Sequence, residues 1–205
     1  KLPIGCDVPE TIILADGDFP SHPLALEWLR QCPYVVCCDG AANTYIRSGR
    51  MPEAIVGDGD SLLPDIKERY ASLIHSEAEQ ETNDLSKAFR FCLSQERKRI
   101  TIMGATGKRE DHTIGNVSLL ADYMEQAEVS MMTDYGIFVP IREDSMFESY
   151  IGQQISVFNM NSTALSAEGL AYPLSVFTNW WQGTLNEALA RHFIIRTEGK
   201  VLVFR

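Results

Sequence analysis

The sequence predicts an α/β fold: a Rossmann-like unit built on a parallel sheet, followed by a small all-β sandwich. Three observations carry this prediction. Over the first two thirds, short apolar runs alternate with amphipathic helical patterns, the order that builds a parallel α/β sheet. The runs are continuously apolar rather than alternating, as strands covered on both faces require. After about residue 135 helical periodicity fades, and short strand and hairpin signals take over. The sequence therefore divides into an α/β unit at 1–135 and a β-sandwich at 136–205.

The expected strands of the first unit are Thr11–Ala15, Tyr34–Cys38, Ala54–Val56, Leu73–His75, Ile100–Met103 and Val129–Thr133. Helical patterns lie between them. Pro23–Gln31 carries Leu26 and Leu29, and Pro64–Ser72 carries Ile66 and Tyr70. Asp84–Glu96 carries Leu85, Ala88, Phe89 and Cys92, and Thr113–Gln126 carries Ile114, Val117, Leu120 and Met124. In the second unit Gln154–Met160 reads as a strand. Phe193–Thr197 and Val201–Phe204 flank Glu198-Gly199-Lys200 as a hairpin, and a short helical turn is expected near Asn186–Arg191.

Composition excludes some partners. A chain of 205 residues with a net charge of −10 lacks the basic footprint that nucleic acids and anionic membranes need. No apolar run approaches the roughly 20 residues of a membrane span. The five cysteines, Cys6, Cys32, Cys37, Cys38 and Cys92, match no disulfide or zinc framework. Cys37 and Cys38 fall inside a strand and read as small core residues, so a reducing cytoplasm is the expected home.

The chemistry lies where the runs end. Asp39 follows Val35–Cys38, Asp58 and Asp60 follow Ile55-Val56, and Asp84 opens a helix after the Leu73-Ile74 run. Asp111 lies in the loop that follows Ile100–Met103. In an open parallel sheet the carboxyl ends of the strands share one edge, and ligands bind there. Carboxylates gathered in one cleft repel each other unless a cation sits among them. A hard divalent cation such as Mg²⁺ takes oxygen ligands and brings phosphates with it.

Each motif also has a plainer role. In Gly57-Asp58-Gly59-Asp60-Ser61 two carboxylates at i and i+2 can turn toward one ion, and Ser61 can cap a helix or meet a phosphate; the same residues also make an ordinary polar turn. In Asp39-Gly40-Ala41-Ala42-Asn43 the small residues fit a close approach to a ligand and equally the packing of a helix against the sheet, while Asp39 and Asn43 supply polar contacts. Thr82-Asn83-Asp84 can cap its helix as well as bind. Lys87, at i+3 from Asp84, reads from the residues alone as a surface ion pair. Gly104-Ala105-Thr106-Gly107-Lys108-Arg109 leads into a helix, and its backbone N–H groups together with the Arg109 guanidinium suit phosphate oxygens. It is not a Walker A loop, because the Gly-Lys-[Ser/Thr] ending is absent. His112 beside it reads as a structural hydrogen-bonder.

Taken in order, these motifs resemble the thiamine pyrophosphokinase (thiamine diphosphokinase) family. The matching segments are Asp-Gly-x-x-Asn at 39–43, Gly-Asp-x-Asp-Ser at 57–61, Asn83-Asp84-Leu85-Ser86-Lys87-Ala88 for Thr-Asp-Leu-x-Lys-Ala, and 104–112 for Gly-Ala-x-Gly-Gly-Arg-x-Asp-His. In the tail, Gly169-Leu170-Ala171-Tyr172-Pro173-Leu174 is similar to the family's Gly-Leu-Lys-Tyr-Pro-Leu. Three positions depart: Asn83 for Thr, Lys108 for the second Gly, and Leu185 for the Ser of a Ser-Asn-Glu signature.

The resemblance implies an α/β catalytic domain, a thiamine-binding β-sandwich and a homodimer with thiamine near the interface. It implies transfer of pyrophosphate from ATP to thiamine with Mg²⁺. In that scheme Asp58, Asp60, Asp84 and Asp39 hold the metal, and Asp60 accepts the hydroxyl proton. Arg109 and Lys87 hold phosphates, Asn43 and Ser61 belong to the ATP site, and Asp111 and His112 fix the loop or touch nucleotide. Gln80 and Asn186 are candidates for the aminopyrimidine, and Tyr172, Trp180 and Trp181 for the cationic thiazolium; the plainer role of the tryptophans, favoured for at least one of them, is to fill a dimer interface or cover the sandwich core. The alternatives are another small-molecule diphosphokinase or nucleotidyl transferase, and a thiamine or nucleotide sensor without turnover.

Overall fold

The computed structural model describes residues 7–76 and 81–205. Six short apolar strands form the first part of the sheet: β1 (Thr11–Leu14), β2 (Val35–Cys38), β3 (Ala54–Val56), β4 (Ile74–His75), β5 (Arg99–Met103) and β6 (Glu128–Met132). All pair in parallel. Five helices connect them: α1 (Pro23–Gln31), α2 (Ala41–Arg47), α3 (Pro64–Arg69), α4 (Asp84–Ser94) and α5 (Glu110–Tyr123). Trp28 and Leu29 of α1, Tyr45 of α2 and Ile66 of α3 pack on one face of the sheet with Ile12 and Leu14. Leu85 and Phe89 of α4 and Leu120 and Tyr123 of α5 pack on the other with Ile13 and Ile102. Burial on both faces is why these strands are apolar without alternation.

Local chemistry sets the helix ends. Pro23 and Pro64 open α1 and α3, where a missing N–H leaves no donor unpaired. The Asn83 side chain accepts the Ser86 N–H at 2.9 Å and caps α4. α5 begins three residues before the expected Thr113. Glu110 and Asp111 suit the positive end of the helix dipole, and Thr113 Oγ1 donates to the Arg109 carbonyl. Helix α3 stops at Arg69, before the expected Ser72, and a 3-10 turn at Ala71–Leu73 leads into β4. Helix α2 lies where the sequence shows only a small-residue motif, because Asn43, Thr44, Tyr45 and Ile46 are weak helix formers stabilised by burial.

The second part is antiparallel: β7 (Ile137–Ile141), β8 (Ser145–Glu148), β9 (Gln154–Asn159), β10 (Leu165–Glu168), β11 (Asn186–Glu187), β12 (His192–Thr197) and β13 (Val201–Phe204). Strand β7 pairs antiparallel with β6, so the large sheet runs on without a break. Its ten strands lie in the order β11-β9-β13-β7-β6-β5-β1-β2-β3-β4, and β10-β12-β8 form a second sheet. Val157, Val201 and Val203 face Phe147, Phe193 and Ile195 between the two sheets. The sandwich thus borrows one wall from the continuation of the parallel sheet. The helical turn expected near Asn186–Arg191 is instead β11, held to β9 by backbone pairing; the 3-10 turn lies earlier, at Trp180–Gly183, closed by Asn179 and Gln182. Among the described residues no helix is long and apolar enough to cross a membrane.

Candidate active site

The order of strands fixes where a site can form. From β1 the chain steps through β2, β3 and β4 on one side, then returns to β5 and β6 on the other. The carboxyl ends of β1 and β5 therefore flank a switch point, the place where open α/β sheets bind ligands. Past the strands the two loops remain paired, with the Gly17 N–H donating to the Gly104 carbonyl at 2.6 Å and the Asp18 N–H to the Thr106 carbonyl at 2.9 Å. A Cβ on Gly17 would lie 2.4 Å from both carbonyl oxygens, so the approach requires glycine.

The acidic loops converge beside this point. Asp39 is 4% exposed. Its Oδ2 accepts the Ser61 N–H at 3.1 Å, and its Oδ1 is buried without a hydrogen-bond partner. Burial pushes the Asp39 carboxyl above the usual carboxylate range; the Ser61 N–H pulls it down, and nearby Asp84 and Asp58 push it up again. Gly57 makes room for this grouping. A Cβ there would lie 2.8 Å from the Asp39 Cβ and 3.4 Å from the Asp84 Cγ. Asp58 Oδ1 accepts the Asp60 N–H, and the Asn43 amide bridges the Ser61 carbonyl and the Leu63 N–H. Asn43 thus fastens the loop that carries Asp58, Asp60 and Ser61.

A cleft of about 450 Å³ opens on the α4 and α5 side of this edge, lined in part by Asp16, Asp84, Lys108, Arg109, His112 and Asn116. Arg109 donates two hydrogen bonds to Asp111, at 3.0 and 2.6 Å, and holds that carboxyl well below its usual range. The His112 N–H donates to the same carboxylate. Asn116 ties α5 to the Ala105 carbonyl and accepts from Asn83, joining the two walls. Lys87 is not on the surface. It is 5% exposed and donates to Asp84 Oδ1 at 3.2 Å, because i+3 from Asp84 lies on the α4 face that packs inward beside Leu85 and Ala88.

The cleft also contains Asp16, which the motif reading missed. It follows β1 just as Asp39 follows β2, and the same strand-then-aspartate pattern could have found it. Lys108 has a left-handed backbone (φ 53°), which costs a non-glycine residue about 1 kcal/mol. Its ammonium donates to the Asp16 carbonyl at 2.8 Å and to Asp16 Oδ1 at 3.2 Å.

The residues matched to thiamine lie elsewhere. Tyr172 and Trp181 are exposed, and Trp180 meets Phe158 edge-on. Asn186 is buried: its Oδ1 accepts from the Tyr172 and Glu187 N–H groups, and its Nδ2 donates to the Tyr172 carbonyl. It sits on β11, seven strand positions from β2. At about 4.8 Å per strand that separation is on the order of 30 Å along the sheet. Gln80 lies outside the described residues. A second hollow of about 530 Å³ lies at the amino ends of β1, β5 and β6, beside Trp28, Phe147 and Arg205, away from the acidic edge.

Two family models match the chain: "Thiamin pyrophosphokinase, catalytic domain" over residues 25–132 and "Thiamin pyrophosphokinase, substrate-binding domain" over residues 136–204. Thiamine pyrophosphokinase 1 of Oryza sativa subsp. japonica is 30% identical over 129 residues, which cover 51% of this chain and 49% of the relative. Thiamine pyrophosphokinase of Bacillus subtilis (strain 168) is 34% identical over 86 residues, 40% of each chain. The chain spans about half the length or less of the curated relatives it matches. The crystal structure of thiamine pyrophosphokinase from Bacillus subtilis shares its fold, with a TM-score of 0.80 at 20% identity over 95% of this chain and 97% of that one. The thiamin pyrophosphokinase from Candida albicans does so at 0.75 and 17%, over 98% and 94%. On the match of the catalytic-domain model to more than half of its length, this chain belongs to the thiamin pyrophosphokinase family.

Proposed function

We propose that this chain transfers a diphosphate group from ATP to the hydroxyl of thiamine, releasing AMP and thiamine diphosphate. The observation that carries the reading is Asp39, a buried carboxylate with one unpartnered oxygen, crowded by Asp84 and Asp58 at the ligand-binding edge of the sheet. Family membership and the names of the relatives support the choice of substrates.

The donor set fits a hard divalent cation, Mg²⁺. Asp39, Asp58, Asp60 and Asp84 offer only oxygen, and a cation would relieve the repulsion felt at Asp39. Among the described residues no three such side chains are gathered around one point, and the fit rests on the oxygen-only donor set and the unpartnered Asp39 Oδ1. When bound, the ion neutralises phosphate charge and polarises the phosphoryl oxygens.

The remaining work belongs to the chain. The thiamine hydroxyl oxygen forms a bond to the β-phosphorus as the bond from that phosphorus to the AMP oxygen breaks. Asp60 accepts the hydroxyl proton. Arg109 and Lys87 hold phosphates, and their pairing with Asp111 and Asp84 aims them beforehand. Asp111, with the His112 N–H, fixes the loop, while Asn43 and Ser61 brace the acidic turn under the nucleotide.

We also propose a division of labour at 1–135 and 136–205, with thiamine held by Tyr172, Trp181, Asn186 and Gln80. Because the first three lie far along the sheet from Asp39, one chain alone would not join them to the acidic edge; a homodimer would. The exposed Tyr172, Trp181 and Leu189 support such an interface. A reducing, cytoplasmic setting agrees with the unpaired Cys32, Cys37, Cys38 and Cys92.

The test is to incubate the protein with ATP, Mg²⁺ and thiamine and to follow both products. AMP and thiamine diphosphate should appear in equal amounts and vanish with EDTA. ADP with thiamine monophosphate would replace the reading with a different transfer. Thiamine binding without turnover would replace it with a sensor.

A further inference from the structure

Lys108 and Asp16 face each other across the switch point of the sheet. One stands in the loop after β5 and the other in the loop after β1. Glycine occupies the position of Lys108 in the family pattern that this loop resembles, and the left-handed backbone there is one that glycine adopts freely. This chain therefore carries a long cationic side chain at a strained position that does not favour it. The ammonium ends in the cleft wall, bonded twice to Asp16 and close to Arg109. The pair is half-exposed, so water screens it and little energy holds it closed.

Building on the ATP reading, we propose that Lys108 is a phosphate-contacting residue, held in waiting by Asp16. On nucleotide binding the ammonium leaves Asp16 for a phosphate oxygen. The exchange is favourable because a triphosphate carries more charge than one carboxylate, and a lysine on a flexible stem follows it as a point charge. Arg109 grips both oxygens of the Asp111 carboxylate, at 3.0 and 2.6 Å, and Lys87 is buried beside Asp84, whereas Lys108 meets the carboxylate of its partner through a single 3.2 Å contact.

The proposal makes opposite demands on the two partners. A purely structural strap would be harmed alike by losing either end. A waiting cation would be harmed by losing Lys108 and released by losing Asp16. The experiment is calorimetric titration of ATP with Mg²⁺, without thiamine, into wild type, Lys108→Gly, Lys108→Arg and Asp16→Asn at two salt concentrations. Lys108→Gly should fold readily, since glycine suits the backbone. Its Kd for ATP should rise about tenfold and depend less on salt, and Lys108→Arg should recover most of the loss. Asp16→Asn should bind ATP more tightly than wild type. Equal affinity in Lys108→Gly and wild type, or weakening in Asp16→Asn matching that in Lys108→Gly, would overturn the proposal and leave the ATP reading standing. A wild type that binds no ATP would overturn both.

Discussion

Two buried polar side chains at opposite ends of the large sheet have been treated in opposite ways. Asn186, on β11, is 5% exposed and uses both ends of its amide to clamp the Tyr172 backbone. Asp39, after β2, is about as buried, yet one of its oxygens has no partner and its neighbours are carboxylates. Leaving a buried polar atom unpaired costs about 1–3 kcal/mol. The fold avoids that cost at the antiparallel end and accepts it at the parallel end. The difference separates a side chain whose hydrogen bonds hold the fold, beside any part it takes in the thiamine site, from one left unpaired for an incoming ligand, and it predicts that Asn186 variants will show first in stability and Asp39 variants first in turnover.

The largest expected effect is at the acidic edge. Asp60→Asn should lower kcat by orders of magnitude with a melting temperature near that of wild type; near-normal turnover would sink the assigned role of Asp60 in metal binding and proton transfer. Asp39→Asn should also abolish turnover, but it should stabilise the metal-free fold. The folded carboxyl is shifted up, so its charged form penalises folding at pH values above that raised pKa. The penalty fades as pH falls through the raised value toward the unfolded value near 3.9. At pH 8 the variant should melt higher than wild type, and the gap should narrow as the pH falls through the raised pKa. If the wild type is the more stable protein at pH 8, the repulsion argument fails.

Asn186→Ala should do the reverse. Losing the clamp should cost about 2 kcal/mol and lower the melting temperature by roughly 4–8 °C. A variant melting like wild type would mean that the amide serves something other than the fold. The smallest effect is expected at Leu185, which is exposed with φ 61°. Leu185→Gly should raise the melting temperature by about 1–3 °C by relieving a left-handed residue. A decrease would show that the side chain packs against something, such as a second copy.

The two ends also differed in how legibly the sequence described them. Strands covered on both faces read as unbroken apolar runs, so β1, β2, β3 and β5 were expected nearly where they lie. The short β8 and β10, Ser145–Glu148 and Leu165–Glu168, bury one face only and carry exposed polar residues, so they gave no such run. Strand β11 carries a helical composition, Asn186-Glu187-Ala188-Leu189, yet pairing to β9 and the Tyr172 clamp decide its shape. At the site, the loops after β2, β3 and β5 were legible from their aspartates. Asp16 follows β1 in the same strand-then-aspartate pattern, but its pairing is not legible, because Lys108 lies 92 residues away and only the strand order brings the two together. The burial of Lys87 was hidden for a similar reason, since spacing fixes its face on α4 but not what that face packs against.

The central claim is that the free oxygen of Asp39 is kept for a cation. The direct measurement is the melting temperature of wild type and Asp39→Asn with and without millimolar Mg²⁺, at pH 8 and in mild acid. The account predicts that Mg²⁺ raises the melting temperature of wild type at pH 8, does so less as the pH falls toward the raised pKa of this carboxyl, and leaves Asp39→Asn unchanged. An equal Mg²⁺ shift in both proteins at pH 8 would contradict it.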